Sequence, residues 1–176
     1  MKRRSLIIAA AALPLAACTT FTELGGRERE AIEGRFSIQV TEGSRRRSES
    51  GSFRLTAKDR GEQLDVGHPV AGTLARVTVT PEESVLEASG GLRASGATPE
   101  ELMLSQLGFV FPVREFRGWV SRPGADSFGE DGWQVSVIER SEDRLPKLIR
   151  ITRAADAAAP AVRLTVFIDK RTRNAL

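Results

Sequence analysis

Between Arg35 and Thr41 the chain alternates without a break: Phe36, Ile38 and Val40 are apolar, while Arg35, Ser37, Gln39 and Thr41 are polar. A period of two puts all the apolar groups on one face of an extended strand and the polar ones on the other. The pattern recurs. Phe53 and Leu55 carry it after a polar stretch, Gly43 to Ser48, that reads as a hairpin connection, and Leu64 and Val66 carry it again. Leu74, Val77 and Val79 mark another strand within Gly72 to Thr80, and two shorter ones, Val85 to Ser89 and Leu92 to Ser95, flank Gly90-Gly91. Strands resume with Trp133, Val135 and Val137, then Leu145 to Thr152 and Val162 to Ile168. A chain of about nine to eleven short, one-sided strands, mostly joined by turns, with helices near the N-terminus and middle, reads as one strongly curved antiparallel sheet. The turn-like connections between strands favour that sheet over a parallel α/β fold.

Helical signals are confined to two places. Arg27 to Glu33 carries mixed charge and reads as a short helix. Thr98-Pro99-Glu100-Glu101 supplies an N-cap, a proline at the first position and acids in the first turn, with Leu102, Met103 and Leu107 behind it and Gly108 as the stop. Pro112 opens a second short helix that places Val113, Phe116, Trp119 and Val120 on roughly one side. Together Leu102, Met103, Leu107, Phe109, Phe111, Phe116 and Trp119 form an apolar set able to cover the sheet's concave face. Tightly packed, they are a core. Loosely packed, with Ile38, Val40, Phe53, Leu55, Leu64 and Val66 from the strands, they line a cavity for acyl chains. Periodicity does not separate the two.

The N-terminus is of another kind. Lys2, Arg3 and Arg4 precede an apolar run from Leu6 to Ala12, too short to span a bilayer, and Leu15-Ala16-Ala17-Cys18 follows. That order of charge, apolar run and Leu-small-small-Cys matches the lipobox of bacterial lipoprotein precursors. Residues 1–17 then form a signal peptide, and Cys18 is the first mature residue and the site of lipidation. Thr19 follows it where aspartate would favour inner-membrane retention, so the expected location is the periplasmic face of the outer membrane of a Gram-negative bacterium. The remaining residues up to 33 are read as tether and short helix, and residues 34–176 as the domain.

Composition excludes more than it proposes. The 26 Lys and Arg exceed the 23 Asp and Glu only by the three at positions 2–4. The mature chain is formally neutral, which argues against nucleic acid as a partner. One cysteine, one histidine and no tyrosine leave little for catalysis. His68 stands in a turn-like stretch with no triad around it, no second cysteine supports a thiol mechanism or a zinc cluster, and Gly90-Gly91 lacks a phosphate-loop lysine. Neither an enzyme nor a bound cofactor or metal is expected. The basic run Arg45-Arg46-Arg47 reads as a solvated hairpin tip.

Taken in order, the lipobox, "GRFSIQV", "HPVAGTLARVTV", "EELMLSQLGFVFPVREFRGWVSRP", "GWQVSV" and "LPKLIRIT…VRLTVFID" resemble the LolB family of outer-membrane lipoproteins over nearly the whole mature chain. The resemblance implies a half-open antiparallel barrel of about eleven strands with a helical lid over an apolar cavity. It implies a monomer, lipid-anchored to the outer membrane, that accepts lipoproteins by their acyl chains from the soluble periplasmic carrier LolA and inserts them without ATP. In the family a leucine on a protruding loop promotes insertion. The matching positions here are Pro69 and Val70, with valine in place of leucine. Rival readings are a lipid-binding or structural envelope lipoprotein of similar fold that inserts nothing.

Overall fold

The computed structural model describes residues 21–68, 70, 72–107 and 111–174. Cys18, Pro69 and Phe109 therefore lie outside the described residues, as do residues 1–17 and Gly108. The chain order is β1 (Glu28–Glu42), β2 (Arg45–Lys58), β3 (Gly61–His68), β4 (Gly72–Val79), β5 (Ser84–Ala88), β6 (Leu92–Gly96), α1 (Pro99–Leu107), α2 (Val113–Ser121), β7 (Ser127–Glu130), β8 (Trp133–Arg140), β9 (Pro146–Arg153) and β10 (Ala161–Arg173). All ten strands join one antiparallel sheet in the order β6-β5-β4-β3-β2-β1-β10-β9-β8-β7. The first and last strands pair at its middle, and β6 and β7 are free edges. Every strand-to-strand connection but one runs between spatial neighbours: β6 leads through the helices to β7, while the last strand, β10, pairs with the first, β1. The helical segment must therefore cross from one edge to the other, and it does so over the hollow face.

Among the described residues ten strands stand where about eleven are expected, and three local expectations change. Arg27 to Glu33 is not a helix. Glu28 onward is strand, with Ala31 and Ile32 buried and paired to Thr56 and Leu55 on one side and to Thr172 and Arg171 on the other. Its charges are taken up across strands: Arg54 bonds to Glu28 (3.0 Å) and to Glu33, and Arg173 to Glu30 (3.3 Å). Two flanking strands outweigh a weak helical propensity. The connection after β1 is only Gly43-Ser44, with Gly43 at φ 57°, and Arg45 to Ser48 pair with Glu42 to Gln39 inside β2. A two-residue hairpin with a left-handed residue matches the twist of the strands. The short strand β7 is an addition to the sequence reading.

The core lies on the concave face. Strands contribute Ile32, Leu55, Val77, Leu86, Ile149, Ile151 and Val166, and α2 contributes Val113, Phe116, Trp119 and Val120 at helical spacing. Gly34, at an irregularity of register in β1, is required there: a Cβ would come within 2.2 Å of the Phe167 carbonyl oxygen and 2.7 Å of the Phe53 ring. The α1 N-cap is as expected, the Thr98 hydroxyl accepting the Glu101 amide at 3.3 Å.

Candidate functional site

Beneath the helices the concave face is not completely filled. A cavity of about 200 Å³ remains, walled by Phe36 and Ile38 of β1, Phe53 of β2, Leu64 and Val66 of β3, and Ala75 and Val77 of β4. Leu86, Leu164 and Val166 complete the sheet side, and Met103, Phe111 and Phe116 form the roof. The roof is held by edge-on aromatic contacts, Phe53 to Phe116 at 5.5 Å and Phe111 to Phe116 at 5.2 Å. Glu49 is the sole charged wall residue among the described residues. Such a surface offers hydrocarbon nothing to hydrogen-bond and excludes water from most of its length.

The register shows how this hollow is oriented. At one end α2 closes it: Arg117 reaches Glu62 at the start of β3 (2.6 Å) and Glu30 near the start of β1 (3.4 Å). Arg171, near the end of β10, donates to the Val120 carbonyl (2.7 Å). Glu49 pairs with Ile38 beyond the point where β3 stops, since Ser52 is opposite Gly67. The cavity therefore extends toward the other end, where the β3–β4 turn projects. There Val70 is 90% exposed and its amide donates to His68 Nδ1 at 3.3 Å. His68 thus bonds within its own turn.

Of the residues expected to line a cavity, Ile38, Phe53, Leu64, Val66, Met103 and Phe116 come together on its wall. Val40, Leu55, Leu102 and Trp119 are buried in the surrounding core and do not line it. Leu107 is the last residue of α1. Phe36, Ala75, Val77, Leu86, Leu164 and Val166 are wall residues that the sequence reading did not single out. Their signal was present, because each sits on the apolar side of an alternating strand.

Glu100, in the first turn of α1, carries an electrostatic penalty. Burial holds its carboxyl above the usual carboxylate range, with Glu115 adding to the effect, and its Oε1 has no partner among the described residues. The folded state then binds this proton more tightly than the unfolded chain, so the penalty is felt at neutral pH and disappears as the pH falls through the raised pKa. Glu100→Gln should unfold at higher urea concentration than the parent at pH 7, and the two should converge near pH 4.

A second site is polar and lies on the convex face. Asp65, Arg76, Glu87 and Arg93 are register partners on β3, β4, β5 and β6, a row of alternating charge across four strands. Arg76 bonds to Asp65 (2.5 and 3.0 Å) and Arg93 to Glu87 (2.5 Å). Residues 21–25 lie across this row. Thr22 donates from its amide and hydroxyl to Glu87 (2.9 and 2.8 Å), Glu23 pairs with Arg76 (2.8 Å), and the Leu24 amide donates to Gln63 (3.1 Å). Lys58 donates to the Leu24 carbonyl (2.6 Å), and Arg76 stacks on Phe21 at 5.5 Å. Burial works to raise the Glu23 pKa, but Arg76 and Lys58 outweigh it and hold that carboxyl below its ordinary value. In sequence alone this segment reads as a tether.

With the geometry in place, comparison with known proteins decides the family. The profile described as "Outer membrane lipoprotein LolB" matches residues 30–170. The chain belongs to the LolB family. Among relatives named outer-membrane lipoprotein LolB, that of Alkalilimnicola ehrlichii is 30% identical, over 93% of this chain and 97% of its own. That of Cupriavidus metallidurans is 27% identical (94% and 95%), and that of Bordetella petrii 31% identical (76% and 75%). The crystal structure of a LolA superfamily protein from Nitrosomonas europaea superposes with a TM-score of 0.41 at 9% identity, over 84% of this chain and 88% of that one. LolB membership places the chain among outer-membrane lipoproteins, in lipoprotein localisation, and among receptors rather than enzymes.

Proposed function

We propose that this LolB-family protein accepts lipoproteins from the soluble periplasmic carrier LolA, holds their acyl chains in the apolar hollow, and inserts them into the outer membrane without ATP. The observation that carries this reading is a hydrocarbon-lined cavity, roofed by α1 and α2, that extends toward an exposed apolar turn. The chain's single cysteine, Cys18, is the lipid attachment site of the lipoprotein, with residues 1–17 as its signal peptide. Energetics require such a receptor. Leaving a chain of about 16 carbons in water costs on the order of 12 kcal/mol at about 0.8 kcal/mol per methylene. A cavity that binds it better than the carrier does by about 1.4 kcal/mol already moves the partition tenfold. Transfer therefore runs downhill from carrier to receptor to bilayer, and no covalent step is involved.

A cavity of about 200 Å³ is smaller than the ~300 Å³ of the smallest ordinary ligand pockets. In this reading Met103, Phe111 and Phe116 swing outward as the chain enters, and the roof is a lid. The deciding experiment is transfer of a labelled lipoprotein from its LolA complex to the lipidated protein in liposomes, followed by its arrival in the bilayer. Retention on the receptor would leave a lipid-binding lipoprotein, and no uptake at all a structural one. Ala75→Phe, which fills the hollow opposite Val66, should weaken uptake of a fluorescent acyl probe on the order of tenfold, the effect of about 1.4 kcal/mol of lost burial. Unchanged uptake by that variant, still folded by circular dichroism, would place the acyl chain elsewhere.

A further inference from the structure

β2 is paired on both sides for only half its length. Ser52 to Lys58 lie between β1 and β3, and the pair of Ser52 with Gly67 is the last with β3. Arg45 to Gly51 keep β1 on one side and meet no strand on the other among the described residues. Gly51 marks the boundary: a Cβ there would come within 2.4 Å of the Gly67 carbonyl oxygen. Beyond it Arg45 to Ser50 are all exposed. This edge is not a loose ribbon, because β1 is backed in turn by β10 as far as the pair of Thr41 with Ala161. Every second residue of such an edge holds its N–H and C=O outward, at the spacing another strand needs.

The edge starts at the hollow. Glu49 lies on the cavity wall with Phe36, Ile38 and Val66, and it is the one wall residue, among those described, that is exposed. It therefore marks the opening. We propose that the edge from Arg45 to Ser50 takes up, as an added strand antiparallel to β2, the extended peptide that follows the acylated cysteine of the cargo. This rests on the reading that the cargo's acyl chains occupy the hollow. With hydrocarbon held among Phe36, Ile38 and Val66, the cysteine bearing it sits beside Glu49, and the residues after it run from Glu49 toward Arg45. That direction is opposite to β2, and the path is about 13 Å, the length of four extended residues. Arg47 and Glu49 stand on the face of their partners Val40 and Ile38, while Arg46, Ser48 and Ser50 stand on the other. Main-chain pairing reads no side chains, so it would hold cargo of any sequence that presents an extended backbone. The three arginines add one preference. They lie at the far end of the path and favour carboxylates at about the fourth and fifth residues after the cysteine, where like charges would repel.

The test uses the whole mature chain with Cys18→Ala, so that no bilayer competes for the probe. Two synthetic probes share a fluorescent diacylglyceryl-cysteine; one ends there as the amide, and the other continues as Ser-Ser-Asn-Glu-Asp-Ser. The longer probe should bind about tenfold tighter, the effect of a few net main-chain hydrogen bonds less the ordering of the peptide. Methylating one alternate set of its amide nitrogens should abolish that gain, and methylating the other set should leave most of it. A photo-crosslinker on the first residue after the cysteine should mark the protein near Glu49, and one on the fifth near Arg45. Exchanging Glu-Asp for Lys-Lys should weaken binding severalfold, a difference that Arg45→Ser with Arg46→Ser and Arg47→Ser removes while binding of the short probe stays unchanged. Equal binding of the two probes, equal loss from both methylated sets, or crosslinks in the reverse order or off β2 overturns the proposal. So does a dimer, seen by sedimentation, that the longer probe leaves intact, since the edge would then belong to a second copy. If neither probe binds, the hollow is not an acyl site and the proposal falls with that reading; if the short probe alone binds, the hollow stands and the added strand does not.

Discussion

Val70→Glu should leave uptake of lipoprotein from LolA unchanged and slow its insertion into liposomes by about ten- to a hundredfold. Uptake is spared because the side chain is 90% exposed and contributes nothing to the cavity wall or the core. Insertion suffers because a carboxylate in hydrocarbon costs about 3 kcal/mol more than valine, and less where the turn stays at the headgroup level. The complementary change distinguishes burial from shape. Val70→Leu adds one methylene, worth about 0.8 kcal/mol if it enters the membrane, and should speed insertion about fourfold. Normal insertion by the glutamate variant removes the turn from the mechanism. A loss in both variants points to the turn's shape, held by the Val70 amide on His68, rather than to its apolarity.

How far the sequence could reach is clearest residue by residue. Phe36, Ile38 and Val40 announce β1 because a half-buried strand leaves an unmistakable period. The first half of the same strand was hidden, since Arg29, Glu30 and Glu33 look like the solvated face of a helix until Arg54 and Arg173 are beside them. The cavity was legible as a face but not as a list. Val40 and Val66 have the same alternation, yet one is core and the other wall, because the difference lies in what the crossing helices cover. The crossing of residues 21–25 over the convex face was not legible at all. Gln63, Arg76 and Glu87 occupy ordinary outward positions, and only register aligns Asp65, Arg76, Glu87 and Arg93 into a row that another segment can cross. The lipobox, by contrast, is a local code, so the expectation that Cys18 carries the lipid needs no fold.

The lid's hold on the sheet should depend more on Trp119 than on any other residue of α2, and Trp119→Ala should destabilise the protein by about 3–5 kcal/mol. Trp119 is 1% exposed, at the end of a stripe that begins with Val113 and Phe116. Its ring lies 6.1 Å from that of Trp133, and its indole N–H donates to Glu130 Oε2 at 2.9 Å. These contacts tie α2 to the β7–β8 hairpin, while Arg122 stacks on Phe128 at 4.1 Å and approaches the same carboxylate at 3.5 Å. Against a total stability of about 5–15 kcal/mol, the loss removes from about a fifth to all of the margin. Trp119→Phe separates the two contributions: it keeps most of the buried ring and gives up the hydrogen bond, for about 1 kcal/mol. Urea unfolding of both variants checks the ranking. Because Trp119 does not line the cavity, the phenylalanine variant should still take up an acyl probe. If both variants lose uptake equally while Trp119→Phe remains stable, the anchor at Glu130 governs the lid's closed position, and acyl binding requires that position to be defined. If only Trp119→Ala loses it, packing alone holds the lid, and the roof formed by Phe111 and Phe116 can move while α2 stays pinned at its far end.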